Sequence, residues 1–420
     1  MRLRLAHFVQ RYPPALGGSE IYFQRLSRHL AAQQHSVDVW TTNAVDLTAL
    51  WSPTGRTTAE GWEDDHGVRV RRFACARWPC RRYILKLASM LPLGPKWRLM
   101  TLPCNPMSWS MRRAVRASAD AYDVVHATAF PYAWPILCAL DLARRSRAAF
   151  ALTPFLHLGN LDDPDDPTRR RYLSPSFQWL LRQADLVFAQ TQAEAEQIER
   201  AGVASERIIL QGMGVDPTEV TGGKRDRLRS AWGVGDADVI VGHLANLSEE
   251  KGTCDLLRAA SRLWSSGERN LYVALAGPQM PNFLKFWSHF PYRHRVFRLE
   301  DVSDDLRRDF FAAIDIFILP SRSDSFGLVL LEAWANGLAN VVYRAGGPGE
   351  IVRHEVDGII VPCGSVAELS EAIHGLARDQ NKRRRMGDEG RARLAEFRWP
   401  DKLRLVEAAY LRSVRRSPHP

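Results

Sequence analysis

The segment best equipped for chemistry is IDIFILPSRSDSFGLVLLEAWANG, residues 314–337. An apolar strand ends at Pro320, a polar loop follows, and a helix is predicted to begin near Phe326 with Ser325 as its N-cap. The first amides of such a helix have no partner within the helix and lie at the positive end of its dipole. The amides of Phe326, Gly327 and Leu328 therefore form a candidate phosphate site, and Gly327 lets a ligand approach the backbone closely.

Two carboxylates flank this candidate phosphate site, Asp324 in the loop and Glu332 within the helix. They would repel a phosphate, but an ionised carboxylate accepts hydrogen bonds from hydroxyl groups. Their positions therefore suit the hydroxyls of a sugar and a ribose. The alternative is an ordinary capped helix with one buried acid, and this segment alone does not choose between the two.

Three other segments carry candidate residues. Lys251 opens a helix after the strand VIVGHLAN, in which Asn246 stands near the end. Gly17 and Gly18 precede a helix after the first predicted strand, and His157 is predicted to end the strand in ALTPFLH. Each has a simpler explanation: an exposed lysine, a glycine turn and a structural histidine.

Short apolar strands alternate with amphipathic helical segments along the whole chain, which predicts parallel sheets built from βαβ units. The fold class is therefore α/β, with two Rossmann-like domains facing a cleft. The predicted parts are a Rossmann-like domain over 1–215, a linker over 216–236 and a second Rossmann-like domain over 237–400. The segment 401–420 is predicted to be a helix that packs on the second domain or returns to the first.

The motif DSFGLVLLEAWANG resembles the acidic motif of retaining GT-B glycosyltransferases of the family-4 type, the group 1 glycosyltransferases. That motif spaces two Glu eight positions apart, and here Asp324 takes the place of the first, with a side chain about 1.5 Å shorter. Lys251 matches the family's Lys-Gly pair, whereas Asn246 stands where the family usually has Arg. Gly17 and Gly18 resemble its GGxE segment.

The resemblance implies that a hexose-type sugar passes from a nucleoside-diphosphate sugar to an acceptor hydroxyl on the same face of the anomeric carbon. It also implies that the domain over 1–215 binds the acceptor and that the domain over 237–400 binds the nucleotide sugar. Lys251, Asn246 and the amides of residues 326–328 would stabilise the departing diphosphate. His157 and Asp324 would contact the donor sugar, and Glu332 the ribose. Neither a metal nor a cofactor is expected.

Two other functions stay open at this point. A nucleotide-sugar epimerase could use the same fold, since a fold does not dictate a reaction. A non-catalytic subunit that binds the donor without turnover is the other, because Asn246 and Asp324 both depart from the family pattern.

The chain of 420 residues has a net charge of +10, and twelve Lys/Arg lie within residues 69–116, where no acid occurs. Trp, Tyr and Leu are interleaved with them, which suits an anionic membrane surface better than nucleic acid. The alternative is a solvated basic loop over a local apolar cluster. A membrane contact predicts a glycan or lipid-linked acceptor in cell-surface polysaccharide synthesis. Six scattered Cys and the lack of a signal peptide favour a cytoplasmic protein, peripheral at the inner face of the membrane.

Overall fold

A computed structural model describes residues 1–15, 17–78 and 80–416. The chain forms two compact units: the first comprises residues 1–156, 170–211 and 400–420, and the second residues 157–169 and 212–399. The predicted α/β fold with two Rossmann-like halves is confirmed, and each half is built on its own mainly parallel sheet.

The first unit contains an eight-stranded sheet in the order β3-β4-β2-β1-β5-β6-β7-β8, in which only β3 runs antiparallel to its neighbour. Its strands are β1 Arg4–Val9, β2 Ser36–Thr42, β3 Gly61–Asp65, β4 Val68–Phe73, β5 Val124–Ala127, β6 Ala149–Leu152, β7 Leu186–Ala189 and β8 Ile208–Leu210. Helices connect them: α1 Gly18–Ala32, α2 Arg81–Ala88, α3 Pro95–Met100, α4 Trp109–Ala117, α5 Ala133–Ser146, α6 Pro167–Tyr172, α7 Pro175–Leu181 and α8 Gln192–Arg200.

The second unit contains a six-stranded parallel sheet in the order β11-β10-β9-β12-β13-β14, the strand order of a Rossmann fold. Its strands are β9 Val239–Leu244, β10 Leu271–Ala276, β11 Val296–Leu299, β12 Ile316–Leu319, β13 Ala339–Tyr343 and β14 Gly358–Val361. Its helices are α9 Pro217–Val220, α10 Arg225–Trp232, α11 Thr253–Ser265, α12 Pro281–Trp287, α13 Asp304–Ala313, α14 Leu328–Ala335, α15 Pro348–Ile351, α16 Val366–Arg378 and α17 Gln380–Arg393. Both faces of this sheet are covered, so its strands are almost wholly apolar.

The last helix, α18 Trp399–Arg416, packs on the first unit from Pro400 onward. Tyr410 is fully buried there, and its hydroxyl meets the Nδ1 of His126. His126 also bonds the Thr153 hydroxyl at 2.8 Å through Nε2, and burial holds its pKa well below the usual value. His126 is thus a neutral residue of this core.

Three details differ from the sequence-based expectations. Residues 216–236, expected to be a linker, contain α9 and α10 and belong to the second unit. The stretch 61–73, for which no strand was predicted, forms the hairpin of β3 and β4. Arg72, within the predicted basic stretch, is therefore buried against Glu63, and Arg69 binds Asp38 at 2.6 Å.

Candidate functional site

The loops that follow β9 and β12 meet because these strands are neighbours in the second sheet. Carboxyl ends of adjacent parallel strands lie at the same edge of a sheet, where α/β proteins bind ligands. The amide of Arg322 donates to the carbonyl of Glu250 at 2.9 Å, which joins the two loops. Gly252 has φ +74°, and a Cβ there would lie 1.9 Å from the carbonyl oxygen of Pro320. Only glycine permits this approach.

This junction brings Lys251 to Asp324. The lysine Nζ lies 2.7 Å from Oδ2 of Asp324 and also donates to the carbonyl of Ser323 at 3.3 Å. Burial alone would raise the pKa of Asp324, but Lys251, with a smaller contribution from His157, holds that pKa below its usual value. The carboxylate is therefore ionised at neutral pH, and 21% of the Asp324 side chain remains exposed.

His157 belongs to the second unit and lies beside the same loop. Its Nδ1 is 2.6 Å from the hydroxyl of Ser323. The prediction that His157 ends a strand was wrong, since β6 stops at Leu152. Segment 157–169 leaves the first sheet because its backbone bonds the loop after β13: Asn160 forms an antiparallel bridge with Ala345.

A glycine-rich turn after β13 supports the loop that carries Asp324. The amide of Gly347 donates to the carbonyl of Asp324 at 3.0 Å. A Cβ on Gly346 would lie 2.1 Å from that carbonyl oxygen, and Gly346 also adopts φ +49°. The amide of Gly346 in turn donates to Gly159 at 2.9 Å. The turn therefore connects the segment of His157 to the loop of Asp324.

The start of α14 differs from the prediction. The helix begins at Leu328 instead of near Phe326, and its N-cap is Gly327 in the left-handed region at φ +89°. Ser325 was predicted to cap the helix and does not, because Gly327 provides no side-chain cap and takes that position. Phe326 is buried, and its amide donates to Oδ1 of Asp324 at 3.3 Å. Of the three predicted phosphate-binding amides, that of Phe326 thus bonds a carboxylate here.

Glu332 lies on α14 and is mostly buried. Arg307 of α13 approaches it with two nitrogens, and its Nε lies 2.8 Å from Oε2 of Glu332. A guanidinium that approaches a carboxylate with two nitrogens fixes its orientation. Glu332 is the fifth residue of α14, about one turn from the start of the helix.

Asn246 lies just beyond the end of β9 with an exposed side chain. It stands before the loop of Lys251, and its side chain carries no charge. Within residues 1–15, 17–78 and 80–416, no group of three or more His, Cys, Asp or Glu side chains is arranged to hold a metal ion.

In the first unit, the predicted glycines Gly17 and Gly18 lie at the start of α1. Gly17 precedes α1, Gly18 begins it, and Glu20 in its first turn is buried. Arg11 lies 2.7 Å from Oε1 of Glu20, and Gln10 donates to the same oxygen at 3.1 Å. A Cβ on Gly17 would lie 2.2 Å from Oε2 of Glu20, so this glycine makes room for the carboxylate.

Sequence reasoning missed several residues of these sites. Ser323 lies within the predicted loop, and its hydroxyl could have been noted as a neighbour of Asp324. Arg307 is 25 residues from Glu332 in the chain and Arg11 is nine residues from Glu20, and no motif marks either arginine.

Two family models match the chain. The model described as a glycosyl transferase 4-like domain matches residues 17–214, and the model for glycosyl transferases group 1 matches residues 224–393. Together they include the candidate residues Gly17, Gly18, His157, Asn246, Lys251, Asp324 and Glu332. The chain belongs to the group 1 glycosyltransferases with the GT-B fold, and the resemblance indicated by the acidic motif is confirmed.

The chain is also similar to individual glycosyltransferases and to solved structures of the same fold. The D-inositol 3-phosphate glycosyltransferase of Kribbella flavida is 26% identical over 417 residues, which cover 94% of this chain and 90% of that protein. The structure of sucrose-phosphate synthase from Thermosynechococcus elongatus matches with a TM-score of 0.76 at 18% identity, covering 99% of this chain and 100% of that one. The Anabaena protein HepE in complex with UDP-glucose matches with a TM-score of 0.69 at 19% identity, covering 97% and 99%. At such identities these two structures support the fold alone.

Proposed function

We propose that this glycosyltransferase moves a hexose-type sugar from a nucleoside-diphosphate sugar to a glycan or lipid-linked acceptor, with retention at the anomeric carbon and without a metal ion. The observation that carries the proposal is the cluster of Lys251, Asp324, Ser323 and His157 at the carboxyl edge of the second sheet. It combines one cation for a diphosphate with an ionised carboxylate for sugar hydroxyls.

In the proposed reaction the bond between the anomeric carbon and the phosphate oxygen breaks, and a bond to the acceptor oxygen forms on the same face. The acceptor's hydroxyl proton passes to the departing phosphate oxygen, so charge balances without a separate base. Lys251 stabilises the negative charge that develops on the leaving diphosphate. Gly327 and Leu328, at the start of α14, offer backbone amides for the same charge.

The carboxylates are assigned to hydroxyl groups. Asp324 stays ionised because Lys251 faces it, so it can accept hydrogen bonds from the donor sugar and stabilise positive charge on the ring. His157, held by Ser323, faces the same sugar, and Glu332, oriented by Arg307, accepts from the ribose. Asn246 is assigned as an uncharged hydrogen-bond donor to the diphosphate, and Gly17 and Gly18 keep the donor-binding role that the family resemblance implies.

A UDP-sugar is the first donor to test, since the Anabaena protein HepE, which shares the fold, forms a complex with UDP-glucose. Calorimetric titration with UDP, GDP and ADP, each with and without Mg²⁺, should show binding of one diphosphate that does not require the metal. Binding of none of them, or binding only with Mg²⁺, would contradict the proposed donor site.

Product analysis then separates the reactions. Transfer to an acceptor, or slow donor hydrolysis without one, supports the transferase, and NMR of the new linkage shows whether the anomeric configuration is kept. An epimerised nucleotide sugar without any acceptor would identify an epimerase. Binding without transfer, hydrolysis or epimerisation would identify a non-catalytic donor-binding subunit.

A further inference from the structure

The strongest feature outside the proposed site is a group of exposed apolar side chains on α2 and the loop leading to α3. Large hydrophobic side chains on a protein surface usually occur singly. Here six lie within eleven consecutive residues, and we call them the apolar tip: Tyr83 at 78% exposure, Ile84 at 53%, Leu87 at 70%, Met90 at 72%, Leu91 at 49% and Leu93 at 60%.

On helix α2, a charged side chain faces the core while several apolar side chains face solvent. The inward positions are Arg81 and Leu85, both buried, and the guanidinium of Arg81 donates to the carbonyl of Asn105. The outward positions carry Tyr83, Ile84 and Leu87. A surface helix normally turns its apolar side to the core and its polar side to water. The apolar face of α2 therefore has no counterpart in the described part of the first unit.

Cations surround the apolar tip. Arg82, Lys86 and Arg98 are exposed, and none forms an ion pair with any described residue. No acid occurs between His66 and Asp120 in the sequence. Some other cations of the basic stretch are engaged: Lys96 binds Asp141 at 2.8 Å, and Arg81 is buried. Arg113 and Arg116 of α4 are also exposed, and the guanidinium of Arg82 lies over the ring of Trp51. Arg82, Lys86 and Arg98 thus place positive charge within and next to the apolar tip in the chain.

We propose that the apolar tip inserts into the interfacial region of an anionic lipid bilayer while Arg82, Lys86 and Arg98 contact lipid phosphates. Exposed aliphatic side chains beside unpaired cations match the two parts of such a surface, its acyl boundary and its negative headgroups. No helix among the described residues is long and apolar enough to cross a membrane. This inference rests on the surface alone and does not depend on the proposed sugar chemistry.

A second copy of the chain matches the apolar tip less well than a lipid bilayer does. A two-fold contact would place the same three cations opposite one another, without a carboxylate nearby to neutralise them. Five of the six tip residues are aliphatic or Met, so they offer little for stacking on nucleic acid bases.

Flotation of the full chain with vesicles tests the proposal. We expect binding to vesicles of phosphatidylcholine with about one third phosphatidylglycerol, and weak binding to phosphatidylcholine alone. Two triple variants, I84S/L87S/L91S and R82S/K86S/R98S, should each reduce the partition coefficient about tenfold or more. Because all six substituted side chains are exposed, both variants should keep the thermal stability of the unmodified chain.

Matched controls exclude general effects of charge and hydrophobicity. R145S/R384S/R385S removes the same charge from other exposed positions, and L210S/L284S/V356S removes exposed apolar side chains elsewhere. Both controls should bind vesicles as the unmodified chain does. Wild-type binding by either tip variant would overturn the proposal. So would analytical ultracentrifugation showing that the unmodified chain dimerises without lipid and that I84S/L87S/L91S does not.

Discussion

The ammonium of Lys251 lies 2.7 Å from Oδ2 of Asp324, although 73 residues separate them in the chain. The lysine that would meet the donor diphosphate is therefore neutralised by a carboxylate until a ligand arrives. If the proposed donor site is correct, a diphosphate competes with Asp324 for this cation, and the carboxylate becomes available to the sugar hydroxyls.

Replacing Lys251 by Met should raise the dissociation constant of the cognate nucleoside diphosphate by roughly 10- to 100-fold, because a charge-assisted hydrogen bond is worth about 1.5–3 kcal/mol. Calorimetric titration measures this change. Lys285→Met removes an exposed lysine of α12 and should leave the affinity unchanged. Equal affinities in both variants would remove Lys251 from the donor site.

Replacing Asp324 by Asn should separate binding from turnover. The variant frees Lys251, so affinity for the sugar-free diphosphate should stay the same or increase. Loss of the ionised group should lower the transfer rate by roughly 100-fold, the scale seen when one transition-state contact is removed. Steady-state kinetics with the donor sugar measures the rate. A variant that loses diphosphate affinity but keeps its turnover would contradict this division of roles.

Asn246 provides a gain-of-function test. Asn246→Arg places a positive charge where the family usually has one, and about 1 kcal/mol of added attraction corresponds to roughly fivefold tighter diphosphate binding. The effect should shrink at high salt, since an exposed charge is screened. Asn246→Gln is the matched neutral control, and tightening in both variants would exclude a charge effect.

The family resemblance places Lys251 and Asp324 in one site, but it does not predict their ion pair. Parallel strands with helical crossovers place the loops at their carboxyl ends on one sheet edge, whatever their separation in the chain. The loops after β9 and β12 meet because these strands are neighbours, and that strand order does not follow from the local pattern. Both loops contain a glycine, and Gly252 lies against Pro320.

Other features depended on contacts that local patterns do not encode. Ser325 has the right side chain for a cap, but the left-handed Gly327 starts α14 two residues later than predicted. The segment of His157 joins the second unit through backbone bonds to the loop after β13. The basic stretch looked uniform in sequence, whereas acids distant in the chain, such as Asp141 and Asp38, pair with some of its cations.

The role of Glu332 can be separated from its ion pair with Arg307. If Glu332 holds the ribose, Glu332→Gln should weaken binding of the cognate diphosphate about tenfold and reduce its preference over the 2′,3′-dideoxy analogue. Arg307→Met breaks the pair but leaves the carboxylate, so this preference should persist. If the two variants lose the preference equally, Glu332 acts only through the packing of α13 and α14.

Acid should destabilise the first unit through its buried histidines. Burial lowers the pKa of His7 from 6.5 to about 3, and the ring stays neutral against Ser27, His126 and Tyr410. The unfolded chain binds this proton below about pH 6.5, so the stabilising contribution is complete above that pH and declines toward pH 3. At pH 5 the loss is roughly 2 kcal/mol for one such histidine.

Urea unfolding at pH 7 and pH 5 measures this decline. His7→Asn can still bond Ser27 but does not titrate, so its free energy of unfolding should fall by roughly 2 kcal/mol less over this range. The exposed His289→Asn should show the unmodified dependence. An unmodified dependence in His7→Asn would mean that His7 is not the group responsible.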